Sequence, residues 1–437
     1  MVLSAEEKRE GFCEGNDCMG TLCRIHAVFF PPTVVLELEG GEIEKLPVRI
    51  RRLEEDFEAE LNDLLTQSTN LVQSNAGQLK VTLKAILHAH RTEFSSYKMT
   101  QMFTPHQMPI TDATLNKAGD QLLSASFDKT ATIHDITTGS IVSEFKGHRF
   151  AVFSCCYNLP VGSLVATGSI DKTAKIWNSG SCECLHTLKG HTGEVIKVLF
   201  NPEGDGLVSG TTDGSMKFWD VQSGRELTAH EEHTAEITAM EYRVSDSVLA
   251  TASNDGLCKL WDSRSPNSLG TLRGHRDGIT SLQFTFDGAF IVTGSLDRTI
   301  RIWDTRQLGL VKSLECHSDE VLGVSVSMSQ KYLATAGKDG IAKVFDFDSF
   351  ECIQECQGHR APVTTVRINP QGNSLITASD DGTARLWDMK KGKSEVLQGH
   401  SDILLGCEFG YTGETILTYS KDNTVRIWMP TVTNSLH

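Results

Sequence analysis

The sequence predicts an all-β propeller of eight four-stranded blades, preceded by a small α+β domain. Two observations carry the propeller. A histidine is followed by an aspartate twenty-two or twenty-three residues later, eight times over. The aspartates are Asp128, Asp171, Asp213, Asp255, Asp297, Asp339, Asp381 and Asp422, spaced by 43, 42, 42, 42, 42, 42 and 41 residues. Six residues after them stand Trp177, Trp219, Trp261, Trp303, Trp387 and Trp428, with His134 and Phe345 in units one and six. Units of this size cannot bury a face alone and must stack on their neighbours.

Each unit reads as four short strands. In unit five, Ile279–Phe284 alternates as an inner strand and Phe290–Ser295 follows it. A turn at Leu296-Asp-Arg-Thr299 leads into Ile300–Asp304, and Val311–Leu314 supplies an outer strand. Short strands separated by Gly/Asp turns at even spacing are what a propeller blade requires. After Trp428 too little chain remains for the last outer strand, whereas Tyr97–Phe103 is strand-like and unassigned. The ring is therefore expected to close between the two ends of residues 97–429, hiding strand edges that would otherwise pair with other chains.

Residues 24–96 predict a small α+β domain. Val34–Glu39 and Glu42–Ile50 flank Gly40-Gly41, a hairpin signal. Leu53, Phe57, Leu61 and Leu64 share one helical face, and Leu79, Leu83, Ile86 and His90 share another. Residues 1–23 are expected to form a flexible extension and 430–437 a tail.

Bulk properties exclude several functions. No apolar run approaches the roughly 18 residues of a membrane span. The charged start MVLSAEEKREGFCEG is unlike a secretory leader, so the twelve cysteines are expected to be reduced thiols. A net charge of −15 argues against nucleic acid, which needs clustered Lys and Arg.

The period and its terminal Trp-Asp resemble WD40 repeats over residues 97–429. That resemblance implies a buried tetrad in each blade: an indole N–H to a hydroxyl, the hydroxyl to an imidazole, and a carboxylate on the other ring nitrogen. The sets expected are His148/Ser169/Asp171/Trp177, His191/Thr211/Asp213/Trp219, His233/Ser253/Asp255/Trp261, His275/Ser295/Asp297/Trp303, His359/Ser379/Asp381/Trp387 and His400/Ser420/Asp422/Trp428. Repetition inside blades points to scaffold rather than to a Ser-His-Asp relay, which needs one exposed hydroxyl beside an oxyanion hole. Unit one departs with His134, and unit six with Gly337 and Phe345.

Other chemistry is thin. Cys13, Cys18, Cys23 and His26 match no common zinc spacing, and His230-Glu-Glu-His233 is one residue short of a zincin motif. No P-loop is present. No enzyme, cofactor or metal site is expected.

The turn before each tetrad aspartate and the loop after each histidine should share one rim. Phe127, Arg149, Phe150, Ile170 and Leu296 are the candidate partner-binding residues there, since exposed aromatics beside Arg suit a protein interface.

Val28–Leu38, the Gly-Gly hairpin and the blade motifs Asn369-Pro-Gln-Gly372, Ser379–Trp387 and Ser420–Trp428 are similar to the family of dynein assembly factors with WD repeats. This resemblance implies a monomeric, non-enzymatic cargo adaptor between cytoplasm and cilium. Its implied partners are outer dynein arm subunits and an intraflagellar transport complex B subunit. The competing expectation is a substrate receptor of a cullin–RING ubiquitin ligase, because Trp261-Asp-Ser-Arg264 and Trp303-Asp-Thr-Arg306 fit the WDxR pattern.

Overall fold

The computed structural model describes residues 22–28, 33–38, 43–47, 61, 64, 79, 83, 96–159, 161–243, 247–262, 265 and 267–431. The chain divides into two compact units, residues 1–93 and 94–437.

The second unit is an eight-bladed propeller, each blade a four-stranded antiparallel sheet. Blade five shows why the sequence folds this way. Ile279–Phe284 pairs with Phe290–Ser295, that strand with Thr299–Asp304, and that in turn with Leu310–Glu315. The second strand is buried from Ile291 to Ser295 because blades cover both its faces, so it reads as a continuous run rather than an alternation. The outer strand is exposed along most of its length. A register shift between Ile279 and Ser281 recurs at Val195/Lys197, Ile237/Ala239, Val321/Gly323 and Val363/Thr365. An extra residue here bends the inner strand as it runs along the central channel.

The core lies between blades, not within them. Leu123, Ile133 and Phe145 of blade one pack with Val152, Val165 and Trp177 of blade two, and the same layer repeats around the ring. Leu417, Val425 and Ile427 of blade eight meet Ile110 and Leu122 of blade one. The fourth strand of blade eight is Tyr97–Phe103, antiparallel to Val425–Pro430, with Phe103 opposite Val425 and Tyr97 opposite Pro430. The Tyr97 hydroxyl donates to Gly413 O at 3.1 Å, and Asn423 Nδ2 donates to Gln107 O at 3.2 Å.

In the first unit, Leu22–Val28, Thr33–Leu38 and Ile43–Pro47 form a three-stranded antiparallel sheet in that order. Leu61, Leu64, Leu79 and Leu83 are helical and buried. The other expected helical positions, the extension and the tail lie outside the described residues. So do the Cys13 and Cys18 positions and the side chains of Cys23 and His26. No described helix is long and apolar enough to cross a membrane.

Candidate functional site

The tetrads are built, but on a different hydroxyl from the one expected. In blade two, His148 Nδ1 lies 2.9 Å from Asp171, and His148 Nε2 lies 2.8 Å from Thr167 Oγ1. The Trp177 indole donates to the same Thr167 Oγ1 at 2.8 Å. Ser169 instead donates to Ala151 O at 2.8 Å and accepts from the Asp171 amide at 3.1 Å. Register gives the reason. Trp177 pairs with Val165, so Thr167 is its diagonal neighbour on the same face, while Ser169 is two residues further along the strand, about 7 Å away.

Blade five repeats the correction. Thr293 bridges His275 at 2.7 Å and Trp303 at 2.9 Å, while Ser295 donates to Gly278 O. Thr251, Thr377 and Thr418 take the role in blades four, seven and eight, and Ser209 in blade three. Ser253, Ser379 and Ser420 instead donate to loop carbonyls of Ala235, Ala361 and Ile403. A column missed by sequence reasoning was visible there: four residues before the aspartate all eight units carry Ser or Thr, whereas two residues before it unit six has Gly337.

Three blades vary. In blade three, His191 Nδ1 faces Ser215 Oγ at 3.4 Å, and Asp213 is held by Thr192, Thr211 and the Ser215 amide. The expected His191–Asp213 pairing is thus replaced by a hydroxyl relay. In blade six, His317 keeps Thr335 at 2.8 Å and both Asp339 oxygens at 3.1 Å, so only the indole donor is lost. The missing side chain of Gly337 is filled space, since a Cβ there would clash with both His317 Nδ1 and Asp339 Oδ1. In blade one, His134 is buried with its Nδ1 unpaired, edge-on to Phe103 at 5.4 Å.

Burial lowers the pKa of His191 to about 4, helped by the Lys217 charge, and holds His233, His275, His317, His359 and His400 below the usual histidine value. For Asp297, burial acts upward, but hydrogen bonds from Thr299, the Arg276 amide and His275 outweigh it and leave about 2. Basic side chains cap the indoles, with Lys259 at 5.9 Å from Trp261 and Arg301 at 6.0 Å from Trp303. Each imidazole and bridging hydroxyl is thereby locked within the blade.

Two surfaces remain. The first is the rim. Backbone bonds tie the turn before each aspartate to the loop after each histidine: Phe127 N to Pro109 O, Ile170 N to Ala151 O and Leu296 N to Gly278 O, at 2.9–3.1 Å. Phe127 and Phe150 are 37% and 57% exposed, and Arg149 is exposed. Phe127 packs edge-on to Phe153 at 5.5 Å, which joins the rims of blades one and two. Ile170 is half-buried on the same sector, whereas Leu296 sits apart on blade five.

The second surface is the central channel, a cavity of about 660 Å³ lined by the inner strands. Its side chains stitch blades together. Glu241 accepts from the Phe284 amide at 2.8 Å, Gln283 from Val326 at 2.7 Å and Ser325 from Ile368 at 3.1 Å. Burial raises Glu241 and Glu408 to about 7 against the pull of Arg367. Among the described residues no cluster of His, Cys, Asp or Glu is arranged to hold a metal.

Residues 109–388, more than half of the chain, match the family described as the IFT122 first beta-propeller, and residues 392–429 match the WD domain, G-beta repeat. The chain is similar to dynein assembly factor with WD repeat domains 1 of Rattus norvegicus, at 34% identity over 40% of this chain and 43% of that protein. The Danio rerio protein of the same name is 35% identical over 42% of this chain and 45% of its own length. The matched stretch is thus less than half the length of either relative. Pre-mRNA-processing factor 19 of Oryza sativa subsp. japonica is 31% identical over 30% of this chain and 26% of its own. Among solved structures, the computationally designed Ika8 protein superposes with a TM-score of 0.68 and 27% identity, covering 76% of this chain and 99% of that one. With WD repeats closing into eight blades and one propeller family matching most of the ring, the chain belongs to the IFT122 first beta-propeller family.

Proposed function

We propose that this chain is a non-enzymatic, monomeric adaptor that links preassembled outer dynein arms to the intraflagellar transport machinery, acting between cytoplasm and cilium. The observation that carries the reading is a coincidence within one chain: its propeller falls in a family named for IFT122, and the Rattus norvegicus and Danio rerio relatives are named for dynein assembly. The geometry supports the non-enzymatic part, because the repeated imidazoles and their bridging hydroxyls are spent on blade structure. Residues 24–96 fit the proposal as a separate α+β domain, and Phe127, Arg149, Phe150 and Ile170 as a partner-facing sector, with Leu296 a second contact on blade five.

Affinity purification of the tagged chain from ciliated cells tests it. Outer dynein arm subunits together with a transport complex B subunit are the expected partners. Recovery of cullin–RING adaptor subunits without either would favour the WDxR reading. Of its two arginines, Arg306 is exposed with its amide on Asp304 Oδ1 at 2.8 Å, and Arg264 lies outside the described residues.

A further inference from the structure

We infer that the rim of blades one and two is a docking site for an acidic amphipathic peptide segment of a partner protein. The inference deepens the scaffold reading and rests on it, but not on which partner is carried.

The first ground is composition against context. The chain is acidic, at −15 overall, yet this sector carries Lys129, Arg149 and Lys172, all exposed, next to the exposed apolar side chains of Met108, Phe127 and Phe150. On blades three, four and six the corresponding loops carry Glu194, Glu236 and Asp319, and on blade five the cations Arg276 and Arg298 stand beside Asp277, without an exposed aromatic at the equivalent positions.

The second ground is pairing. Lys217, Lys259, Lys338 and Lys343 each meet a glutamate at 2.6–3.0 Å. Among the described residues, no carboxylate stands within ion-pair distance of Lys129, Arg149 or Lys172. The two acids nearest in sequence are already engaged. Asp128 is held by His106, Thr130 and the Gln107 amide, and Asp171 by His148, Thr173 and the Arg149 amide. Three cations are thus left facing solvent beside apolar surface.

The third ground is backbone. The residue after the tetrad aspartate is left-handed, with φ of 84°, 77°, 79° and 78° at Gly214, Gly256, Gly340 and Gly382. Lys129 and Lys172 hold the same conformation at 74° and 66°, as do Arg298 and Asn423 at 69° and 67° on blades five and eight. A residue with a Cβ is disfavoured there relative to glycine. Only blades one and two set a lysine there side by side, each next to an exposed or half-buried apolar residue, Phe127 and Ile170, and each at a conformational cost relative to glycine.

These features select the occupant. Apolar anchors of the peptide would cover Phe127 and Phe150 and exclude water. Its carboxylates would meet three cations that need no prior partner to be displaced. A basic segment would be repelled here and drawn to the acidic arc instead.

The test is selection of a displayed library of random short peptides against the full chain. Enriched sequences should carry Asp or Glu flanking Leu or aromatic residues. Their affinity should fall at least about tenfold in the Arg149→Glu/Lys172→Glu variant, and by about tenfold in Phe150→Ala. Peptides with Lys in place of Glu should regain binding to the double variant, which separates charge pairing from any loss of fold. Basic consensus sequences, no enrichment, or equal binding to wild type and double variant would overturn the inference. So would capture of phosphatidylserine vesicles by this patch with no peptide enriched. Purification of the tagged chain from ciliated cells keeps the two readings apart. Dynein-arm capture with no acidic peptide enriched sinks the docking site alone, whereas acidic-peptide selection without any dynein or transport partner sinks the adaptor alone.

Discussion

The Trp177 indole donates to Thr167 Oγ1 at 2.8 Å, and Ser169, two residues closer to the tetrad aspartate, turns away to the Ala151 carbonyl. Thr167 also meets His148 Nε2, so one hydroxyl satisfies two buried groups, one from the neighbouring strand and one from the loop that enters the blade. Thr167→Val keeps the shape and strand preference but leaves both unpaired. We expect a loss of about 2–3 kcal/mol in urea unfolding, against about 1 kcal/mol for Ser169→Ala, whose bonds join a loop to its own turn. Equal losses for the two, or a larger loss at Ser169, would contradict the assignment.

The same contrast shows what a sequence can and cannot carry. The Asp and Trp columns recur at near-constant spacing, so blade number and strand order could be read from them, and Tyr97–Phe103 stood out as the strand left over. Which hydroxyl bridges was misread, because Thr167 and Ser169 both repeat and only register separates them. The channel was not legible at all. Its stitching position changes from Glu241 to Gln283 to Ser325 in successive blades, and the common feature is the acceptor atom, not the residue. On the rim, unit order alone separates Leu296 on blade five from Phe127 and Phe150, but it could not show the ring contact between Phe127 and Phe153.

Ring closure predicts a large effect from one crosslink. Lys98 stands opposite Met429 in the strand pair that joins the two ends of the propeller. In Lys98→Cys/Met429→Cys, a disulfide would close nearly the whole ring and restrict the unfolded chain. Oxidised protein should be about 2–4 kcal/mol more stable than the same variant reduced. A thermal melt with and without reductant measures this, and a reduced form melting at or above the oxidised one would show that this pair does not close the ring.

Acid should weaken the histidine network of the blades before its aspartates titrate. A buried imidazole with a lowered pKa binds its proton less well folded than unfolded. Its contribution is therefore complete above the ordinary value of 6.5 and is lost as pH falls toward about 4 for His191. Burial pushes His233, His275, His317, His359 and His400 in the same direction. The His191 share of stability, read as the difference in urea midpoint between wild type and His191→Gln, should therefore decline between pH 6.5 and 4. Glutamine cannot gain a proton, so a difference that stays constant across this range would exclude His191 as a contributor.

The channel carboxylates should act in the opposite sense. Burial raises Glu241 and Glu408 to about 7 from the ordinary 4.5, so their protonated forms suit the folded chain. Their contribution is present below pH 4.5 and is lost as pH rises through 7. Arg367 offsets part of this for both, while Asp112 adds to it for Glu408. Glutamine is the natural replacement at 241, since Gln283 already accepts the next blade's amide at the equivalent place. Glu241→Gln should thus keep the bond to the Phe284 amide and remove the charge. We expect it to stabilise the chain by about 1–3 kcal/mol at pH 8 and by little at pH 5. Paired urea titrations at the two pH values decide it. A variant less stable than wild type at pH 8 would mean that the ionised carboxylate, held by Arg367, is the form the channel requires.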